Sequence, residues 1–230
     1  MNISKQTCRQ GEQGFTLVEL AIVMVIIGLL IGGILKGQEL IANAQVAATV
    51  TQIKSFDAAQ NTFRDSYNAI PGDMANPAGR LAGCAAAPCN LAGDGDGRID
   101  RDNFAVISAV PSAGGAAAEA VNFWIHMAAA DLLSGVAPRP TGLAFGQTSP
   151  EGKISGGYQI SFSLDGALPG RTATDATVQP RAGLYLALMN DPGAATSSTT
   201  GMMVPQIVQR IDQKGDDGLP NSGSMIVMGT

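Results

Sequence analysis

The chain has 230 residues, of which 45% are hydrophobic and only 14% charged, with a net charge of −5. That length suits one domain of ordinary size with some long loops, and alanine and glycine supply so much of its apolar content that the core is expected to be built largely from small side chains. There is no cluster of Lys and Arg and only 5% aromatics, which removes nucleic acid as the default partner, because phosphate binding needs grouped cations and base stacking needs rings.

Lys5 and Arg9 precede an apolar run from Phe15 to Leu35, and the next basic residue is Lys36, just beyond it. The run is apolar except for Thr16 and Glu19. As a helix it spans about 31 Å, enough to cross a hydrocarbon core. The positive flank should stay cytoplasmic and send the C-terminal body across. Lys5, Arg9 and Glu12 are the charged residues of the first fourteen, so the remainder carries 12 basic and 18 acidic residues, a net of −6.

A secretory signal peptide would be followed by a small-residue cleavage site and then the mature domain. Here the run continues in helical period with no turn signal. Ile41, Ala44, Ala48, Thr51, Ser55, Ala58 and Ala59 can share a stripe, with Gln38, Gln45, Gln52 and Lys54 among the polar positions. A membrane helix and an amphipathic helix are thus expected to fuse over 15–67, roughly 80 Å at the standard rise. Pro71 then forces an exit.

Glu19 is the unusual residue of this stretch. A carboxylate inside a membrane helix costs on the order of 2.5–3.5 kcal/mol on insertion scales, so it points to a function. The plainer reading is that it lies one turn from the start and reaches the headgroups. The string Gly14-Phe15-Thr16-Leu17-Val18-Glu19, followed by the apolar run, resembles the processing site of type IV prepilins and of the pseudopilins of type II secretion. The resemblance implies that a prepilin peptidase cuts between Gly14 and Phe15 and methylates the new amine. Residues 1–14 are then a leader, 15–67 a long helix with its transmembrane half at 15–35, and 68–230 a globular pilin-like domain. Glu19 would meet the N-terminal amine of a neighbouring subunit, a pairing that relieves the cost each charge bears alone in a dry bundle.

The implied partners are identical or related pilin subunits, the prepilin peptidase, an inner-membrane assembly platform and membrane lipid. The implied location is a single-pass inner-membrane precursor, N-terminus cytoplasmic and C-terminal domain periplasmic, that later joins a filament. Gly28-x-x-x-Gly32 and Gly33-x-x-x-Gly37 allow close helix approach, although glycine is ordinary in membrane helices. Many members of the family bend this helix with a proline, and this chain has none between Phe15 and Tyr67. A pilus subunit, a minor pilin and a type II secretion pseudopilin all remain open, as does a membrane-anchored, calcium-dependent binding or adhesive module. Against adhesion, no aromatic lies between Leu81 and Arg101. An enzyme is not expected, since no nucleophile–base pair, phosphate loop or His-based metal constellation is present.

Residues 68–118 read as a long connection rich in Pro and Gly. Cys8 lies in the leader, leaving Cys84 and Cys89 as an even pair suited to a disulfide in an oxidising compartment, with two free thiols as the alternative. Asp94, Asp96 and Asp100 look like part of a calcium loop. With Asp96-Gly97 at its fifth and sixth positions, however, Ala92 and Asn103 fall at the first and twelfth, so two ligands are missing and an acidic turn is the preferred reading. Residues 118–135 read as a helix with Val121, Trp124, Ile125, Ala128 and Leu132 on one stripe and Gly135 as its cap. His126, the sole histidine, is expected to pack rather than catalyse. Strands are expected at 157–164, 184–189 and 225–228, and a short helix at 204–211 with Pro205 in its first turn. The fold class is therefore α+β, a long N-terminal helix packed on an antiparallel sheet. The segment from Ile211 to Gly223 resembles an acidic turn near the C-terminus of many pilin-like proteins. Since some pseudopilins bind calcium in a C-terminal loop, the resemblance offers Asp212, Asp216 and Asp217 as its ligands, against a turn salt-bridged by Lys214.

Overall fold

A computed structural model of the chain describes residues 14–100, 110–114, 116–163, 181–191, 203–219 and 222–226. The elements are α1 (Leu17–Tyr67), α2 (Pro77–Arg80), α3 (Ala116–Ala129), β1 (Gly157–Ser163), β2 (Gly183–Met189) and α4 (Pro205–Gly215). Two compact units divide the chain, Met1–Asn43 and Ala44–Thr230, and α1 contributes residues to both.

In the first unit the apolar side chains face outward all round the helix. Phe15, Leu17, Met24, Leu29 and Leu35 are all exposed, and the most apolar window has a mean hydropathy of 2.7 with nothing buried. Length and composition suffice to cross a membrane. Lys36 and Glu39 pair at 2.7 Å just past the run.

In the second unit α1 buries Val46, Thr49, Val50, Phe56, Ala59 and Phe63. This corrects the expected stripe: Ile41, Ala44, Ala48, Thr51, Ser55 and Ala58 are exposed, and of that stripe Ala59 alone is buried. Both stripes obey helical spacing, but aromatic and branched side chains remove more apolar area from water than alanines do, and burial follows area. Phe56 meets Trp124 and Tyr158 edge-on, with ring centroids 5.1 and 5.0 Å away. Phe63 lies 4.6 Å from Tyr67. The helix ends before Pro71 acts: Asn68 takes a left-handed φ of 47° and its N–H donates to Arg64 O at 2.8 Å. The Arg80 guanidinium then donates to Tyr67 O, covering another terminal carbonyl.

Helix α3 is buried along 118–127, and it stops short of the expected Gly135. The N–H of Leu132 donates to Met127 O at 3.0 Å and that of Asp131 to Ala128 O at 3.1 Å, with Asp131 at φ 56°. This is a Schellman ending with aspartate in the position glycine usually takes. Strands β1 and β2 pair antiparallel, in register from Gly157 opposite Met189 to Ser163 opposite Gly183. They are the strands of the sheet among the described residues. Met225 and Ile226 are not in a strand, and the rest of that expected element lies outside the described residues, as does Asn103. Helix α4 runs four residues past its expected end, and its Ile211 packs with Val46 and Val50 of α1. The α+β arrangement of a long helix and an antiparallel sheet is thus observed.

Candidate functional site

The N-terminal end of α1 is built by a capping box. Thr16 immediately precedes the helix, and its N–H and Oγ1–H both donate to Glu19 Oε2 at 2.9 Å. In return Thr16 Oγ1 accepts the Glu19 N–H at 3.3 Å. This reciprocal Thr-x-x-Glu pairing satisfies terminal N–H groups that the helix cannot. It starts the helix after Thr16, so the Gly14–Phe15 peptide lies outside it, with Phe15 82% exposed. The Thr-x-x-Glu pattern is legible in the sequence as a capping signal at Thr16 and Glu19. A Cβ placed on Gly28, Gly32, Gly33 or Gly37 would meet nothing within 4 Å, so packing within the chain does not explain these glycines.

A second polar constellation lies in the body. Cys84 and Cys89 form a disulfide, and both are fully buried. Beside it, α3 carries Glu119, Asn122 and His126 on one face, and all three are buried. Each holds backbone from the long connection. Asn122 Nδ2 donates to Pro88 O at 2.8 Å and Leu91 O at 3.2 Å. His126 Nδ1 accepts the Gly72 N–H at 3.0 Å, which forces Nε2 to carry the proton it donates to Cys89 O at 2.9 Å. Burial pulls the His126 pKa down to about 4, keeping the ring neutral. His126 and the two sulfurs lie within 4.8 Å of one another, but the disulfide occupies both thiols and backbone occupies both ring nitrogens, so the group is structural.

Glu119 accepts the N–H of Asp94 through Oε1 at 3.3 Å and of Asp100 through Oε2 at 2.7 Å. Asp73, also buried, accepts Gly95 N–H at 2.6 Å and Gly97 N–H at 2.8 Å. Two buried carboxylates therefore hold four amides of one acidic turn. Burial, with Asp100 and Asp73 nearby, raises Glu119 to about 7 against the pull of its two N–H donors. Burial likewise raises Asp73, helped by Asp96 and Asp94 and opposed by the Gly97 and Gly95 amides. The fit is tight: a Cβ on Gly72 would stand 2.3 Å from Glu119 O, and one on Gly93 2.5 Å from Asp73 Cα. No spacing rule in the sequence connects Asp73 or Glu119 to this turn; only the fold brings them there.

The candidate cation residues fall out as follows. Asp94 and Asp96 lie with Asp73, one oxygen from each within 4.8 Å of the others, whereas Asp100 is not in that group. Asp94 and Asp96 accept the N–H of Asp96 and Arg98 at 3.0 and 2.8 Å, the pattern of an acidic turn. Next to this turn lies a polar cleft of about 700 Å³, lined by Asn61, Arg64, Asn68, Arg80, Gly95 and Gly97 among others. At the other end of the body, Asp212, Asp216 and Asp217 also bring oxygens within 4.8 Å. Asp216 Oδ2 accepts from the N–H of Ser224 and, at 3.0 Å, of Met225, while Asp217 accepts from Leu219 N–H and Ser222 Oγ. Asp212 Oδ1 is buried and has no donor among the described residues. The expected Lys214 salt bridge is not formed: among the described residues the ion pair is Lys36–Glu39.

Compared with known proteins, residues 9–35 match the model of the prokaryotic N-terminal methylation motif. No curated protein and no solved structure matches the chain.

Proposed function

We propose, from a methylation motif that is the hallmark of type IV pilins and pseudopilins, that this chain is a structural subunit of a type IV pilus-like filament. The motif makes it a pilin-like substrate of prepilin peptidase, anchored by an apolar helix. The finer reading is that cleavage falls between Gly14 and Phe15 and that assembly runs through α1. One observation carries it: the capping box keeps the scissile peptide outside the helix and exposed while turning the Glu19 carboxylate toward the same end. Glycines with open space at every Cβ position support close approach by a neighbouring helix in the filament. The leader stays cytoplasmic, the body is periplasmic, and the work is mechanical rather than catalytic. A pseudopilin of type II secretion would be processed in the same way.

The test is intact mass of membrane and sheared surface fractions, wild type beside Glu19→Ala. The proposal expects a mature chain starting at methylated Phe15, with Glu19→Ala cleaved but absent from sheared filaments. A retained leader, or cleavage beyond the apolar run, ends it.

The C-terminal loop supports a cofactor reading as well. A buried Asp212 oxygen without a donor among the described residues, beside two further carboxylates, fits a hard cation such as calcium, which takes oxygen ligands. Calcium held by Asp212, Asp216 and Asp217 would tie the end of α4 to the following turn. Calcium should then raise the melting temperature of the wild type and leave Asp212→Asn unmoved; an unresponsive wild type refutes the site.

A further inference from the structure

We propose that α3 is a lid over the Cys84–Cys89 bridge: the two sulfurs are joined before α3 docks, and once it has docked they are sealed from thiols in solution. Two independent features carry this. The bridge is local, its cysteines five residues apart, so closing it asks for a short turn of the connection and nothing from α3. Yet both cysteines are 0% exposed and belong to the main core with Met74, Leu81, Ile99 and Phe123. A loop that needs no fold to be bridged is therefore buried by the fold.

The cover comes from the polar face of α3. A nitrogen of the His126 ring lies within 4.8 Å of both sulfurs. His126 Nε2 donates to Cys89 O, and Asn122 Nδ2 donates to Pro88 O and Leu91 O. Three bonds thus pin the backbone at and beside the second cysteine to the helix. His126 Nδ1 closes the other side by accepting the Gly72 N–H. Ala85 and Ala87 are exposed, so solvent reaches the loop but not its sulfurs.

Thiol–disulfide exchange requires a thiolate to attack a sulfur directly. To form the bridge, one cysteine thiolate attacks a disulfide oxidant and the other displaces it from the mixed disulfide. The chain's sulfurs give up two electrons, and the oxidant leaves as two thiols carrying the two protons. Reduction by a dithiol retraces the same approach. Buried sulfurs are closed in both directions, so the bridge forms first, where the chain meets an oxidant, and α3 closes over it second.

The test uses the oxidised full-length protein carrying Cys8→Ser, in mild detergent at neutral pH, with dithiothreitol as the reductant. Samples are alkylated over time, and opened bridges are counted by intact mass. The bridge should open about a thousandfold more slowly than in the same chain unfolded by urea. Asn122→Ala deletes two of the three pinning bonds and should speed opening about tenfold. Val50→Ala trims the separate contact of α1 with Ile211; it lowers stability without touching the lid, so its opening rate should match that of the wild type. Three results overturn the proposal: wild-type opening as fast as in urea, equal rates for Asn122→Ala and wild type, or a Val50→Ala rate raised as much as that of Asn122→Ala. If Asn122→Ala does not fold, His126→Gln, which keeps only one of the ring's two bonds, takes its place in the same comparison.

Discussion

His126 sets the acid limit of the body. Its folded pKa of about 4 lies below the ordinary 6.5 because burial penalises the charged ring. A depressed histidine contributes stability that is complete above 6.5 and is lost as pH falls toward 4. At roughly 1.4 kcal/mol per pH unit, that gap is worth about 3 kcal/mol, a large share of the 5–15 kcal/mol typical of a domain, to order of magnitude. The loss has a structural route: protonated Nδ1 can no longer accept the Gly72 N–H, leaving a buried donor opposite a buried cation. Trp124, the sole tryptophan, is buried two residues away and reports unfolding. Urea titrations of the full-length protein in mild detergent, followed by its fluorescence from pH 7.5 to 3.5, should show the midpoint dropping steeply below about pH 6. His126→Gln should be less stable at pH 7, since it reproduces only one of the two bonds, but should lose that steep limb. Parallel pH profiles for wild type and His126→Gln would show that another group governs acid unfolding.

Other substitutions probe the packing. Phe63→Ala removes a fully buried ring that meets Tyr67 and should cost about 3–5 kcal/mol in chemical denaturation. Asp131→Gly relieves a left-handed residue at an exposed helix end and should raise stability by up to about 1 kcal/mol, with Asp131→Val lowering it. Opening the Cys84–Cys89 bridge, five residues apart in sequence, as the double serine variant should cost about 2 kcal/mol from chain entropy alone; calorimetry beside the wild type gives the value.

Local physics made some parts of the molecule legible. The 51 residues of α1 contain no proline and no turn signal, and they form one helix. The alternation in 157–164 and the apolar run at 184–189 correspond to the two paired strands, Gly157–Ser163 and Gly183–Met189. The even cysteine pair became a bridge. Other parts were hidden because they depend on long-range partners. Glu119 in the first turn of a helix reads as a solvated, dipole-favoured acid, and becomes a buried clamp only because residues 94–100 return to it. Helix α3 shows an apolar stripe in sequence, but every side of 118–127 is buried, so its polar residues carry the specific contacts. Gly135 misled for a related reason: aspartate at 131 can adopt the left-handed cap, so the nearest glycine did not mark the end.

The boundary between the two units explains why the amphipathic stripe was misplaced. It falls at Asn43–Ala44, inside α1 rather than in a linker. Composition changes little there, because alanine and small polar residues occur on both sides. What changes is whether other elements offer a surface for burial. Before it, apolar side chains point outward in all directions, as a helix surrounded by lipid or by other helices requires. After it, Val46 and Val50 meet Ile211 of α4, and Phe56 meets α3 and β1. A stripe drawn from spacing alone passes through this change unaltered and gathers exposed alanines. Weighting each position by the apolar area it can bury selects Val46, Val50, Phe56 and Phe63 instead, and that choice places the body on α1.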